Sequence, residues 1–114
     1  TWVAGLAINP IVSGVTFSGG EPFAQAEAAA QIAAYVCSRR MNLWVYTGYV
    51  WETLLTRLEA PGYADLLNRT DVLVDGPYQQ ENRSLSLPFR GSSNQRLIRV
   101  QESLQAGQVV EWRP

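Results

Sequence analysis

The residues able to do chemistry in this chain sit at three turns and one polar segment. Residues 15–23, VTFSGGEPF, read as a short strand with Val15 and Phe17 on one face, broken at Gly19-Gly20 and passing through Glu21-Pro22 into an Ala-rich helix. A turn of this kind places backbone at the carboxyl end of a parallel strand, where α/β sheets bind ligands. Two consecutive glycines let that backbone approach a ligand without an intervening Cβ. Thr47-Gly48 ends the next apolar run, and Asp75 ends a third, immediately before Gly76-Pro77. Asp75 is either a pocket carboxylate or the start of an Asx-type turn. Residues 90–95, RGSSNQ, are a dense set of donors beside a flexible glycine, suited to touching a ligand or covering it. Arg90 has a surface ion pair as its other reading.

The elements that must position these turns follow from periodicity. Residues 24–39 predict a helix with Ala28, Ile32, Tyr35 and Val36 at helical spacing, and Pro22 suits its first turn, where an absent N–H is harmless. A compact strand over 43–46 turns at Thr47-Gly48 into a helix over 50–58, with Trp51, Leu54, Leu55 and Leu58 on one face. Ala60-Pro61-Gly62 breaks that helix, and a short helix over 63–68 leads to a buried strand over 72–74. The βαβα order implies parallel pairing. Residues 78–94 read as a loop over the sheet, while 97–100 and 109–112 form a terminal hairpin unless 95–104 is helical. Trp44 and Trp51 read as core; Trp2 and Trp112 pack the termini or face a partner.

With 114 residues, 46% of them hydrophobic, the chain fits one small domain over 1–114 with a single core. Nine basic against ten acidic residues argue against a nucleic-acid partner. No apolar run has membrane-spanning length and no signal-peptide pattern is present, so the expectation is a cytoplasmic protein without a membrane partner. Cys37 is the single cysteine and histidine is absent, which excludes an intramolecular disulfide and a cluster held by this chain's own thiolates. Cys37 reads as a buried structural residue late in its helix.

VTFSGGEPF resembles the S-adenosylmethionine-binding turn of radical-SAM enzymes, in particular the small activases of glycyl radical enzymes. LWVYTGY (43–49), TDVLVDGPY (70–78) and PFRGSSNQRLI (88–98) are similar, in the same order, to successive blocks of the activating proteins of anaerobic ribonucleoside-triphosphate reductase. The resemblance implies a partial (β/α) barrel of the radical-SAM type, α/β with a mostly parallel sheet. It also implies two cofactors, S-adenosylmethionine and a [4Fe-4S] cluster, with a reduced electron donor and a glycyl radical enzyme, anaerobic ribonucleotide reductase, as partners. Reductive cleavage of the sulfonium then yields a 5′-deoxyadenosyl radical that removes a hydrogen atom from a glycine of the partner. Backbone carbonyls around Ser18, Gly19 and Gly20 would take the methionine ammonium; Glu21 either supplies negative potential nearby or favours the positive N-terminus of the following helix. Thr47 and Gly48 correspond to a ribose or methionine contact, with Asp75, Arg90, Ser92 and Asn94 completing the cofactor-binding set.

Two departures bear on that expectation. Tyr46 stands where several activases carry an acidic residue, so a carboxylate-to-ribose bond is not carried over, and Thr47 reads as a turn residue with a possible hydroxyl contact. The family's C-x-x-x-C-x-x-C, whose thiolates hold the cluster, is absent from these residues. The chain begins at Thr, and only residues 3–8 stand where a strand or loop and a full crossover helix are expected. A parallel crossover needs about a dozen residues or more, which favours a cluster-binding portion missing from the amino terminus over a lost helix. As given, the chain is expected to be inactive. Two rival readings are a degenerate, non-catalytic interaction domain on the same scaffold and a radical-SAM enzyme acting on a small molecule.

Overall fold

The computed structural model describes residues 2–3, 6–11, 14–19, 21–77, 79 and 94–112. Six strands, β1 (Trp2–Val3), β2 (Leu6–Ile11), β3 (Gly14–Gly19), β4 (Asn42–Tyr46), β5 (Val72–Asp75) and β6 (Arg96–Arg99), form one sheet in that spatial order. The β3–β4 and β4–β5 ladders are parallel and the other three antiparallel, so β1, β3, β4 and β5 run one way and β2 and β6 the other. The chain is thus α/β with a largely codirectional sheet. Where the sequence reading found too few residues for a crossover, β2 pairs antiparallel with β3 from Leu6↔Gly19 to Ile11↔Gly14. Pro10 is tolerated because β1 pairs only with Leu6 and Ala7, leaving that stretch of β2 an outer edge.

Between β3 and β4 the chain forms a single 3₁₀ turn, Pro22–Gln25, and then α1, Ala26–Ser38. The helix buries Ala26, Ala29, Ala30, Ala33 and Val36; of the predicted set Ala28, Ile32, Tyr35 and Val36, Val36 is buried and Ile32 packs on the core, but Tyr35 is 63% exposed and lies against the Arg39 guanidinium. The reason is distance. Alanines bring the α1 backbone close to its neighbours, and a larger residue at those positions would hold it off. Gly62, at φ +82°, leads into α3 (Tyr63–Arg69) so close to α1 that a Cβ there would collide with the backbone of Ala26 and Glu27.

Helix α2 is one short piece, Trp51–Leu55; Leu54 and Trp51 are buried, Leu58 beyond its end packs on the core, and Leu55 is exposed. On the helix side of the sheet, Val15, Phe17, Leu43, Val45, Leu73 and Ile98 join the helices in one core. The opposite side carries a smaller cluster of Val72, Val74 and Leu97, against which Trp44, Tyr46 and Trp112 pack, with Trp44 and Trp112 edge to face at 5.0 Å. Strands buried on both faces need continuous apolar runs, as VLV in β5 supplies.

The terminal hairpin is realised in altered form. After β6 the chain turns through α4 (Val100–Ala106), as the helical alternative had it, and returns as an isolated antiparallel bridge, Ile98↔Glu111. Ser103 lies under that return, donating to the Arg99 carbonyl at 2.6 Å and accepting the Val110 N–H at 2.8 Å. Cys37 is half-buried, its thiol 3.5 Å from the Arg69 carbonyl. No helix among the described residues is long and apolar enough to cross a membrane.

Candidate functional site

The parallel strands β3, β4 and β5 end along one edge of the sheet. There a cleft of about 370 Å³ opens, lined by Glu21 and Pro22 after β3, Tyr46, Thr47 and Gly48 after β4, Gly76 and Pro77 after β5, and Gln95 before β6. Its size falls within the range of small-ligand pockets, about 300–1,000 Å³.

Glu21 joins the first two walls. One carboxylate oxygen, Oε2, accepts from the Phe23 N–H at 3.0 Å and the Thr47 hydroxyl at 2.8 Å; the other, Oε1, accepts from the Gly48 N–H at 2.6 Å. The helix-favouring reading of Glu21 is therefore realised as a side-chain cap of the 3₁₀ turn, and the same carboxylate braces the β4 turn. Thr47 also accepts from the Tyr49 N–H at 3.1 Å, so its hydroxyl organises the turn that follows β4. A Cβ on Gly48 would lie 3.3 Å from Glu21 Oε1, a tight fit that glycine avoids.

Asp75 is 1% exposed and turns away from the cleft. Its carboxylate accepts the Trp51 N–H at 2.8 Å, the Arg96 N–H at 3.1 Å and the Arg96 guanidinium at 2.6 Å, in place of the predicted Asx-type turn. Arg96 reaches on to Glu52 at 2.7 Å. Asp75 first, then Glu52, holds the guanidinium charged far above any working pH. In turn, hydrogen bonding from Arg96 holds the Glu52 carboxyl below its ordinary range. A depressed carboxyl pKa contributes stability that is complete above the unfolded value and is lost as pH falls through the folded one. Glu52→Gln is accordingly expected to cost a small amount of stability at neutral pH, small because the pair is exposed, and to converge with the parent in acid, flattening the limb below about pH 4.5, as urea midpoints across pH 3 to 7 would register.

Of the other predicted contacts, Ser18 and Gly19 end β3 but are not among the residues lining the cleft, while Gly20, Arg90 and Ser92 lie outside the described residues. Asn94 donates to the Pro77 carbonyl at 2.8 Å, and its buried Oδ1 has no hydrogen-bond partner among the described residues. Gln95, the last residue of the donor segment 90–95, lines the cleft and donates to the Gly76 carbonyl at 3.0 Å, whereas sequence reasoning gave Arg96 no role at the site. The signal for Arg96 was cross-strand pairing, since it stands directly opposite Asp75 in the β5–β6 ladder. Tyr46 brings a half-buried phenol to the cleft, and burial pushes its pKa up, so it stays neutral.

A family model described as a 4Fe-4S single cluster domain matches residues 3–98, most of the chain and all three walls of the cleft. The chain belongs to the 4Fe-4S single cluster domain family. Among curated relatives, it is similar to the anaerobic ribonucleoside-triphosphate reductase-activating proteins of Pasteurella multocida (34% identical over 92 residues, 75% of this chain and 55% of that protein) and Vibrio cholerae (37% over 87 residues, 72% and 52%). That of Haemophilus influenzae is 34% identical over 86 residues, 72% of this chain and 52% of that protein. The chain spans about half the length of these relatives. No solved structure matches it. These 114 residues do not themselves fit the cluster for which the 4Fe-4S single cluster domain family is named. Their one cysteine sits near the carboxyl end of α1, beside Arg69, and no group of three His, Cys, Asp or Glu able to hold a metal occurs among the described residues.

Proposed function

We propose that this chain forms the S-adenosylmethionine-handling part of a radical-SAM activase that installs a glycyl radical on anaerobic ribonucleotide reductase. The observation that carries the reading is the cleft itself, where three parallel strands end together and present Glu21-Pro22, Thr47-Gly48 and Gly76-Pro77 to one space. The relatives named as activating proteins of that reductase support the reaction class. The partial barrel, the single-domain reading of 1–114 and the reduced electron donor belong to the same proposal.

The cleft suits S-adenosylmethionine in that Gly48 keeps its wall free of side chain. Carbonyls of Ser18 and Gly19 would accept from the methionine ammonium, with the Glu21 carboxylate supplying negative potential close by. Tyr46, Gly76 and Gln95 would border the nucleoside portion. The bound cofactor supplies a sulfonium whose reductive cleavage provides the hydrogen-abstracting radical. No step is assigned to the cluster through this chain's own residues. Their part is to hold the cofactor in one orientation and keep water from it.

The reading is tested on the full-length, anaerobically reconstituted protein. Incubation with S-adenosylmethionine, a reductant and anaerobic ribonucleotide reductase is expected to produce a glycyl radical doublet by EPR; its absence at full cluster loading overturns the function. Gly48→Val is expected to weaken S-adenosylmethionine at least about tenfold by calorimetry, since even a Cβ presses on Glu21. Unchanged affinity with intact cluster would remove the cofactor from this cleft.

A further inference from the structure

We infer that Arg96 is a positioning residue for the cleft, holding the β4–α2 turn that forms one of its walls; the link to cofactor affinity rests on the reading above. The turn, residues 47–50, is secured at its front by Glu21, through Thr47 and Gly48. In its middle the Gly76 N–H donates to the Tyr49 carbonyl at 2.8 Å. At its rear the Trp51 N–H, the first of α2, donates to Asp75, and Asp75 is in turn held by Arg96. The guanidinium grips α2 a second time through Glu52. One side chain therefore acts on the rear of the turn by two routes, while the adjacent Gln95 ties Gly76 into the opposite wall.

The geometry requires an arginine. Its Nε and Nη2 meet Asp75 while Nη1 and Nη2 meet Glu52, a planar fork spanning a buried carboxylate and an exposed one. A lysine ammonium, a single point charge, satisfies Asp75 or Glu52 but not both, so Arg96→Lys keeps the charge and loses the span.

Arg96→Lys, with Arg99→Lys at the other end of β6 as control, separates positioning from general stability. In the full-length protein without cofactor, Arg96→Lys is expected to speed amide exchange at Trp51 and Gly76 by about tenfold or more, while Val45 and Leu73, deep in the sheet, and the Glu21-held Gly48 amide stay as in the parent. Cluster-loaded Arg96→Lys should then bind S-adenosylmethionine about tenfold more weakly, and Arg99→Lys should match the parent in both measurements. Unchanged exchange at Trp51 and Gly76, or a uniform rise that includes Val45 and Leu73, overturns the positioning role. So does parental affinity in a variant whose turn has loosened. If the parent itself fails to bind S-adenosylmethionine, the proposed function falls, and exchange alone then decides whether Arg96 positions the turn.

Discussion

Replacing Gly62 with valine is expected to destabilise the fold by about 3–5 kcal/mol, enough to leave a domain of this size largely unfolded under mild denaturant. Two costs combine. At φ +82° an L-residue pays about 1–2 kcal/mol of backbone strain, and β-branching makes the conformation harder still. The added Cβ would also run into the Ala26–Glu27 backbone, and main chain cannot rotate aside as a flexible side chain can. Helices α1 and α3 must separate, opening the alanine seam that Ala26, Ala29, Ala30 and Ala33 close. Urea denaturation checks the size of the loss. A midpoint shift equivalent to less than about 1 kcal/mol would mean that the α1–α3 approach is looser than described.

Asp75→Ala is the second large effect, expected at about 3 kcal/mol, the lower end for breaking a buried ion pair, because Arg96 is about a third exposed and partly rehydrates. The loss leaves the Trp51 N–H without its acceptor and frees the rear of the β4–α2 turn. Asp75→Asn keeps one acceptor and should recover part of the stability, a graded series that chemical denaturation resolves. Equal stability of Asp75→Ala and the parent would contradict the buried pairing. Both substitutions lie outside the cleft lining, so their effects on stability do not require that it bind a cofactor.

How much of this was legible beforehand differs from residue to residue. The strands at 15–17, 43–46 and 72–74 were readable because short apolar runs bounded by turn residues have few other places to go. The turn at Ala60-Pro61-Gly62 was readable for the same local reason, with Gly62 at the positive φ that glycine tolerates, although α2 ends at Leu55, short of the predicted 58. The family was legible in VTFSGGEPF and the three later blocks, which the match over residues 3–98 spans. By contrast, the buried face of α1 was readable only in part. The spacing of Ala28, Ile32, Tyr35 and Val36 caught Val36 and Ile32, but the closeness of α3 and the sheet buried the alanines and left Tyr35 exposed.

The sequence by itself determined that three strand-ending turns, at Ser18 to Glu21, Thr47-Gly48 and Asp75-Gly76, share one chemical character, because each is written in adjacent residues whose backbone preferences act locally. Only the tertiary structure decided which groups at those turns face the cleft and which hold it together. Glu21 takes three donors from two separate segments, and Asp75 is claimed by Arg96 and Trp51, 21 and 24 residues away. A carboxylate leaving water must take whatever donors the fold brings within reach, and those partners are set by strand register and helix placement, which no local pattern records.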